Sequence, residues 1–127
     1  FVYEATVIML DGLERMYAKG EDWIYYLTVY NENYEMPSMP AGCEEGILKG
    51  MYRLKDVPAT GKPVATVPPV NLLGSGAILR EVIRAADILA ERWGIASTVW
   101  SVTSWKELRR EAQACRRWNM LHPEATP

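Results

Sequence analysis

The sequence predicts an α/β chain: parts of two parallel-sheet units joined by a proline-rich linker. Three observations carry this reading. Trp23-Ile-Tyr-Tyr-Leu-Thr-Val-Tyr30 is a run of eight residues, mostly aromatic or β-branched, as expected for a strand buried on both faces. Val57 to Pro69 then holds four prolines and a glycine in thirteen residues, with no hydrophobic period. Beyond it the pattern restarts as strand, Gly-rich turn, helix, strand and helix, an order that implies a parallel pair with a right-handed crossover. The expected units are 1–57, a linker over 58–69, and 70–127.

In order, Val2, Ala5, Met9, Leu13 and Met16 recur at helical spacing and predict a helix over about 1–18, closed by Lys19-Gly20. No Met and no capping residue precede it, so a piece of a longer polypeptide is expected. The strand 23–30 follows. Pro37 and Pro40 stiffen the next loop. A second helix is predicted from about Gly42 to Lys55, with Ile47, Leu48, Met51 and Leu54 on one face. Gly46 and Gly50 within it each cost about 1 kcal/mol against alanine, which points to a close-packed neighbour.

In the second unit Val70–Leu73 reads as a strand and Gly74-Ser-Gly76 as the turn after it. The helix from Ala77 to Trp93 is expected to turn Ile78, Val82, Ile83, Ala86, Leu89, Ala90 and Trp93 inward, and Gly94 ends it. Thr98–Thr103 is the next strand. Ser104-Trp-Lys-Glu107 has capping-box spacing and opens a helix to about Asn119, with Trp105, Leu108, Ala112 and Cys115 on one stripe.

Composition narrows the function. The chain has 127 residues, 49% hydrophobic and 24% charged, which is ordinary for a globular protein. A formal net charge of −2 disfavours nucleic acid or an anionic membrane as partner. Two cysteines make no disulfide framework, and no apolar run reaches the length of a membrane span; a cytoplasmic setting is expected. Cys43 and Cys115 are read as buried thiols, and Arg109-Arg110 with Arg116-Arg117 as a solvated helix face. His122 stands alone, without ligand-spaced neighbours, so no metal site is expected. Gly74-Ser-Gly76 lacks the third glycine of a dinucleotide fingerprint and the Lys-Ser/Thr of a P-loop, and reads as a tight turn.

The remaining candidate is the polar loop after the first strand. Ligands in parallel α/β sheets sit just beyond the carboxyl ends of strands. Asn31, Glu32, Asn33, Tyr34 and Glu35 lie at such a place, with Glu32 and Glu35 as the groups able to handle protons.

Six collinear blocks go further. They are Ile8-Met-Leu-Asp-Gly-Leu-Glu-Arg-Met-Tyr17, Asn31-Glu-Asn-Tyr-Glu-Met-Pro-Ser-Met-Pro40, Glu44-Glu-Gly-Ile-Leu-Lys-Gly-Met-Tyr-Arg53, Leu72-Leu-Gly-Ser-Gly-Ala-Ile-Leu-Arg80, Trp100-Ser-Val-Thr-Ser104 and Arg117-Trp-Asn-Met-Leu-His-Pro123. Together they resemble the homodimeric, bacterial-type E1 component of pyruvate dehydrogenase complexes. The resemblance implies transketolase-like domains: residues 1–57 as the end of the pyrimidine-binding middle domain, and 70–127 as the first half of the C-terminal domain. It also implies decarboxylation of pyruvate with thiamine diphosphate and Mg²⁺, and reductive acetylation of the lipoyl group of the E2 acetyltransferase. A second E1 subunit and the E2 lipoyl domain are the implied partners.

The family's diphosphate- and Mg²⁺-binding motif is absent from this stretch, so the chain alone is expected to be inactive. By position, Asn31–Glu35 resembles the family's substrate-channel loop. Some relatives carry histidine where Glu35 and Leu10 stand here. Two other readings are a purely structural or dimer-forming segment, and a sibling transketolase-type transferase. The latter calls for phosphate-binding basic residues that the loop does not offer.

Overall fold

A computed structural model describes residues 1–60 and 68–124. Its elements are α1 (Val2–Leu13), a π-helical turn (Glu14–Ala18), α2 (Glu44–Lys49), β1 (Met51–Val57), β2 (Val70–Gly74), α3 (Ile78–Trp93), β3 (Ser97–Val102) and α4 (Trp105–Leu121). The sheet has the order β1-β3-β2. β2 pairs with β3 in parallel, as the strand–turn–helix–strand pattern predicts, whereas β1 pairs with β3 antiparallel. The chain is thus α/β with a small mixed sheet.

The predicted helix over 42–55 is corrected. Gly50 takes φ +100° and ends α2 after Lys49, and the chain leaves as a strand. Tyr52, Leu54 and Val57 are buried along it, although a register shift between Arg53 and Lys55 interrupts strict alternation. Apolar residues at 47, 48, 51 and 54 satisfy a helical period, but the glycine breaks it. The close neighbours inferred from Gly46 and Gly50 are present. A Cβ at Gly46 would lie 2.8 Å from Tyr52 Cβ, and one at Gly50 would lie 2.5 Å from the Ser104 carbonyl oxygen. Strand 51–57 thus shares a sheet with elements from beyond the proline-rich stretch. Residues 61–67 of the linker lie outside the described residues.

The strand predicted over 23–30 is also corrected: residues 20–40 contain no helix or strand. A strand buried on both faces needs a pairing partner on each edge. Among the described residues none lies beside it, and Ile24, Tyr26 and Val29 are 92%, 89% and 79% exposed.

Helix faces differ in detail from their periodicity. In α1, Tyr3, Val7 and Ile8 pack toward the core while Val2, Met9 and Leu13 are exposed. This helix is apolar nearly all round, so hydrogen bonds choose its inward face. Glu4 accepts from Tyr52 Oη at 2.8 Å and from Ser101 Oγ at 2.5 Å, while Asp11 accepts from Tyr25 Oη at 2.7 Å. In α3 the inward stripe is Leu79, Val82, Ile83, Ala86 and Ala90; Ile78 and Trp93 at its ends face water. In α4 the Ser104 side chain caps the helix by accepting from Glu107 N at 3.2 Å, as the motif predicts. Beyond Leu108, however, every residue of α4 is exposed: the expected apolar stripe packs at Leu108, beside Gly50, but not at Ala112 or Cys115, so the expectation of a buried Cys115 thiol is corrected. Cys43 is buried as expected, and burial pushes its thiol above the usual range.

Candidate functional site

The first half of the chain meets the second at the loop following Tyr30. The ring of Tyr30 lies on Gly76, in the turn between β2 and α3: a Cβ there would stand 2.8 Å from Tyr30 Cε2. One helical turn further on, the Arg80 guanidinium sits 4.9 Å from the centre of the Tyr34 ring, within cation–π range. Between loop, β1 and α3 opens a groove of about 650 Å³.

Its lining settles where the predicted residues go. Asn33, Tyr34 and Glu35 line the groove together with Leu54, Lys55 and Arg80. Asn31 and Glu32 are exposed and stand outside it. Glu35 therefore shares a groove with two cations. Of these, Lys55 pairs with Asp87 at 3.2 Å. Reading the sequence assigned no role to Lys55 or Arg80. A trace existed for Arg80, which closes one of the six blocks four residues after Gly76.

The groove is formed by side chains over an open backbone loop and can receive a small polar ligand. The turn at Gly74–Gly76 does not fit a diphosphate with its metal. Gly74 is packed against Val82 and Leu79, with a Cβ position 2.9 Å from Val82 Cγ2, and Gly76 carries the Tyr30 ring. The turn is filled by protein and leaves no cradle at the N-terminus of α3. Among the described residues no three His, Cys, Asp or Glu side chains gather to hold a cation.

A second hollow of about 460 Å³ lies between α1, residues 23–27 and the start of α4. Trp23 is flanked there by Arg15 at 5.0 Å and Arg110 at 5.6 Å. Both arginines are neutralised, by Asp11 and Glu107 respectively, each at 3.0 Å. Paired charges around one indole hold these elements together. No helix among the described residues is long and apolar enough to cross a membrane.

The family model described as the transketolase-like TK C-terminal domain matches residues 50–127. The chain belongs to that family. A second family model, the pyruvate dehydrogenase E1 component middle domain, matches residues 1–37. Curated relatives named pyruvate dehydrogenase E1 component agree along the full chain: 56% identity in Escherichia coli K12, 54% in Cupriavidus necator and 48% in Pseudomonas aeruginosa, each covering 100% of this chain. The chain spans 14% of the length of each of these relatives. The first family match begins at Gly50, where the structure turns from α2 into β1. This is the resemblance that the six sequence blocks carry.

Proposed function

We propose that the chain is a segment of a thiamine-diphosphate-dependent E1 that decarboxylates pyruvate and reductively acetylates the lipoyl group of its E2 partner. The observation that carries this reading is the identity of 48–56% with E1 components over the whole chain. In this reading residues 1–57 end the middle domain, 58–69 connect, and 70–127 begin the C-terminal domain, with strand 51–57 paired to β3 of the latter. A cytoplasmic homodimer is the proposed setting.

The cofactor and Mg²⁺ would be held by other parts of the longer protein, since the turn at Gly74–Gly76 has no room for the diphosphate. What this segment supplies is the loop Asn31–Glu35. Asn33 and Tyr34 would orient the substrate. Glu35, beside Arg80 and Lys55, would handle a proton or hold the loop; Glu32 would act from the rim. The position of Asn31 and Glu32 outside the groove favours one further reading, in which the segment serves architecture and subunit contact alone.

The test is CO₂ release by the full-length protein with thiamine diphosphate and Mg²⁺, offering pyruvate, 2-oxoglutarate and a ketose phosphate side by side. Selective turnover of pyruvate is expected. Turnover of the ketose phosphate would move the chain to the transketolase branch, and silence on all three would favour the architectural reading.

A further inference from the structure

We propose that Arg80 and Gly76 form a seat that positions the Asn31–Glu35 loop, with Arg80 as a positioning residue for the reaction. The inference rests on the proposed function for its kinetic part and on geometry for the seat itself. Residues 31–36 have no helix or strand of their own, so their backbone is not fixed by a hydrogen-bonded ladder. Two aromatic rings, Tyr30 just before the loop and Tyr34 near its end, meet respectively Gly76 in the turn before α3 and Arg80 in the first turn of α3.

Gly76 adopts φ +55°, a region where a side chain is strained, and the bare Cα leaves the space that the Tyr30 ring fills. Arg80 lies one turn along, with its guanidinium 4.9 Å from the Tyr34 ring centre. Among the described residues no carboxylate forms an ion pair with Arg80, so its cationic face is available to the ring. The two contacts sit at either end of the loop. They fix its position on the second unit and hold Glu35 at the groove edge. The turn that lacks a phosphate cradle thus has a different use: it receives a tyrosine.

The experiment uses full-length protein and compares wild type, Arg80→Ala and Arg80→Lys by amide hydrogen exchange over 31–36 and by CO₂ release from pyruvate. Arg80→Ala is expected to speed exchange across 31–36 and to lower kcat roughly two- to five-fold, the size of an exposed cation–π contact. Arg80→Lys, which keeps a cation over the ring, is expected to recover most of both. A residue that only stabilised the fold would not give rescue that tracks the charge. Tyr34→Leu removes the same contact from the other side, and serves if Arg80→Ala does not fold. Unchanged exchange in Arg80→Ala overturns the seat; faster exchange with unchanged kcat overturns the positioning role. If wild type releases no CO₂ from pyruvate, the functional reading fails, and exchange alone decides the seat.

Discussion

Gly50→Ala is expected to destabilise the protein by about 3 kcal/mol, read as a shift in its denaturant unfolding midpoint. Two independent effects add. Gly50 holds φ +100°, which an alanine adopts only under strain. An added Cβ would also stand 2.5 Å from the Ser104 carbonyl oxygen and 3.3 Å from side-chain atoms of Glu107 and Leu108. Backbone on that side cannot yield freely, because the Gly50 carbonyl accepts from both Thr103 N and Ser104 N, at 2.9 and 3.1 Å. Relieving the clash therefore pulls α2 away from the cap of α4. A variant as stable as wild type would show that this junction is not packed as described.

Tyr52→Phe is expected to cost about 1–3 kcal/mol at neutral pH, the range for stranding a buried polar partner. Tyr52 is 3% exposed, and its hydroxyl lies between Tyr3 Oη and Glu4 Oε1, each at 2.8 Å. Its single proton goes to the carboxylate, so Tyr3 donates to Tyr52. Removing the hydroxyl leaves Glu4 with Ser101 as its remaining hydroxyl donor and Tyr3 without an acceptor.

The same group sets a pH dependence. Burial, reinforced by the Glu4 carboxylate, raises the Tyr52 phenol above its ordinary value. The unfolded phenol ionises near pH 10, so this stabilisation is complete below about pH 10 and is lost as pH climbs from there toward the folded value. Wild type should lose stability above pH 10 more steeply than Tyr52→Phe, and the gap between them should close. Parallel alkaline limbs would contradict the assignment.

Local signals in the sequence were reliable where the deciding contacts are local. The Gly94 stop and the Ser104 cap both rest on neighbours within a few residues. The errors arise where partners are distant. Residues 23–30 have the composition of a buried strand, but composition cannot supply a pairing edge. Met51 and Leu54 continue the helical period of α2, and only the backbone of Gly50 reveals the reversal into β1. The inward face of α1 follows Glu4 and its partners Tyr52 and Ser101, which periodicity of apolar residues does not detect.

The candidate site was half legible. A polar burst after an aromatic run singled out Asn31–Glu35, and the six blocks tied it to a family. Nothing in spacing linked Tyr34 to Arg80 or Tyr30 to Gly76, because these pairs meet only through the fold. Nor did it show that Glu35 lines the groove while Glu32 does not.

The most direct test of the account is steady-state turnover of pyruvate by the full-length protein carrying Glu32→Gln and Glu35→Gln together, with each single variant alongside. Loss of a group that moves or steers a proton predicts a fall in kcat of roughly tenfold or more in the double variant, with Glu35→Gln supplying most of it. Kinetics unchanged from wild type in all three would remove the loop from the reaction centre and leave the segment as architecture.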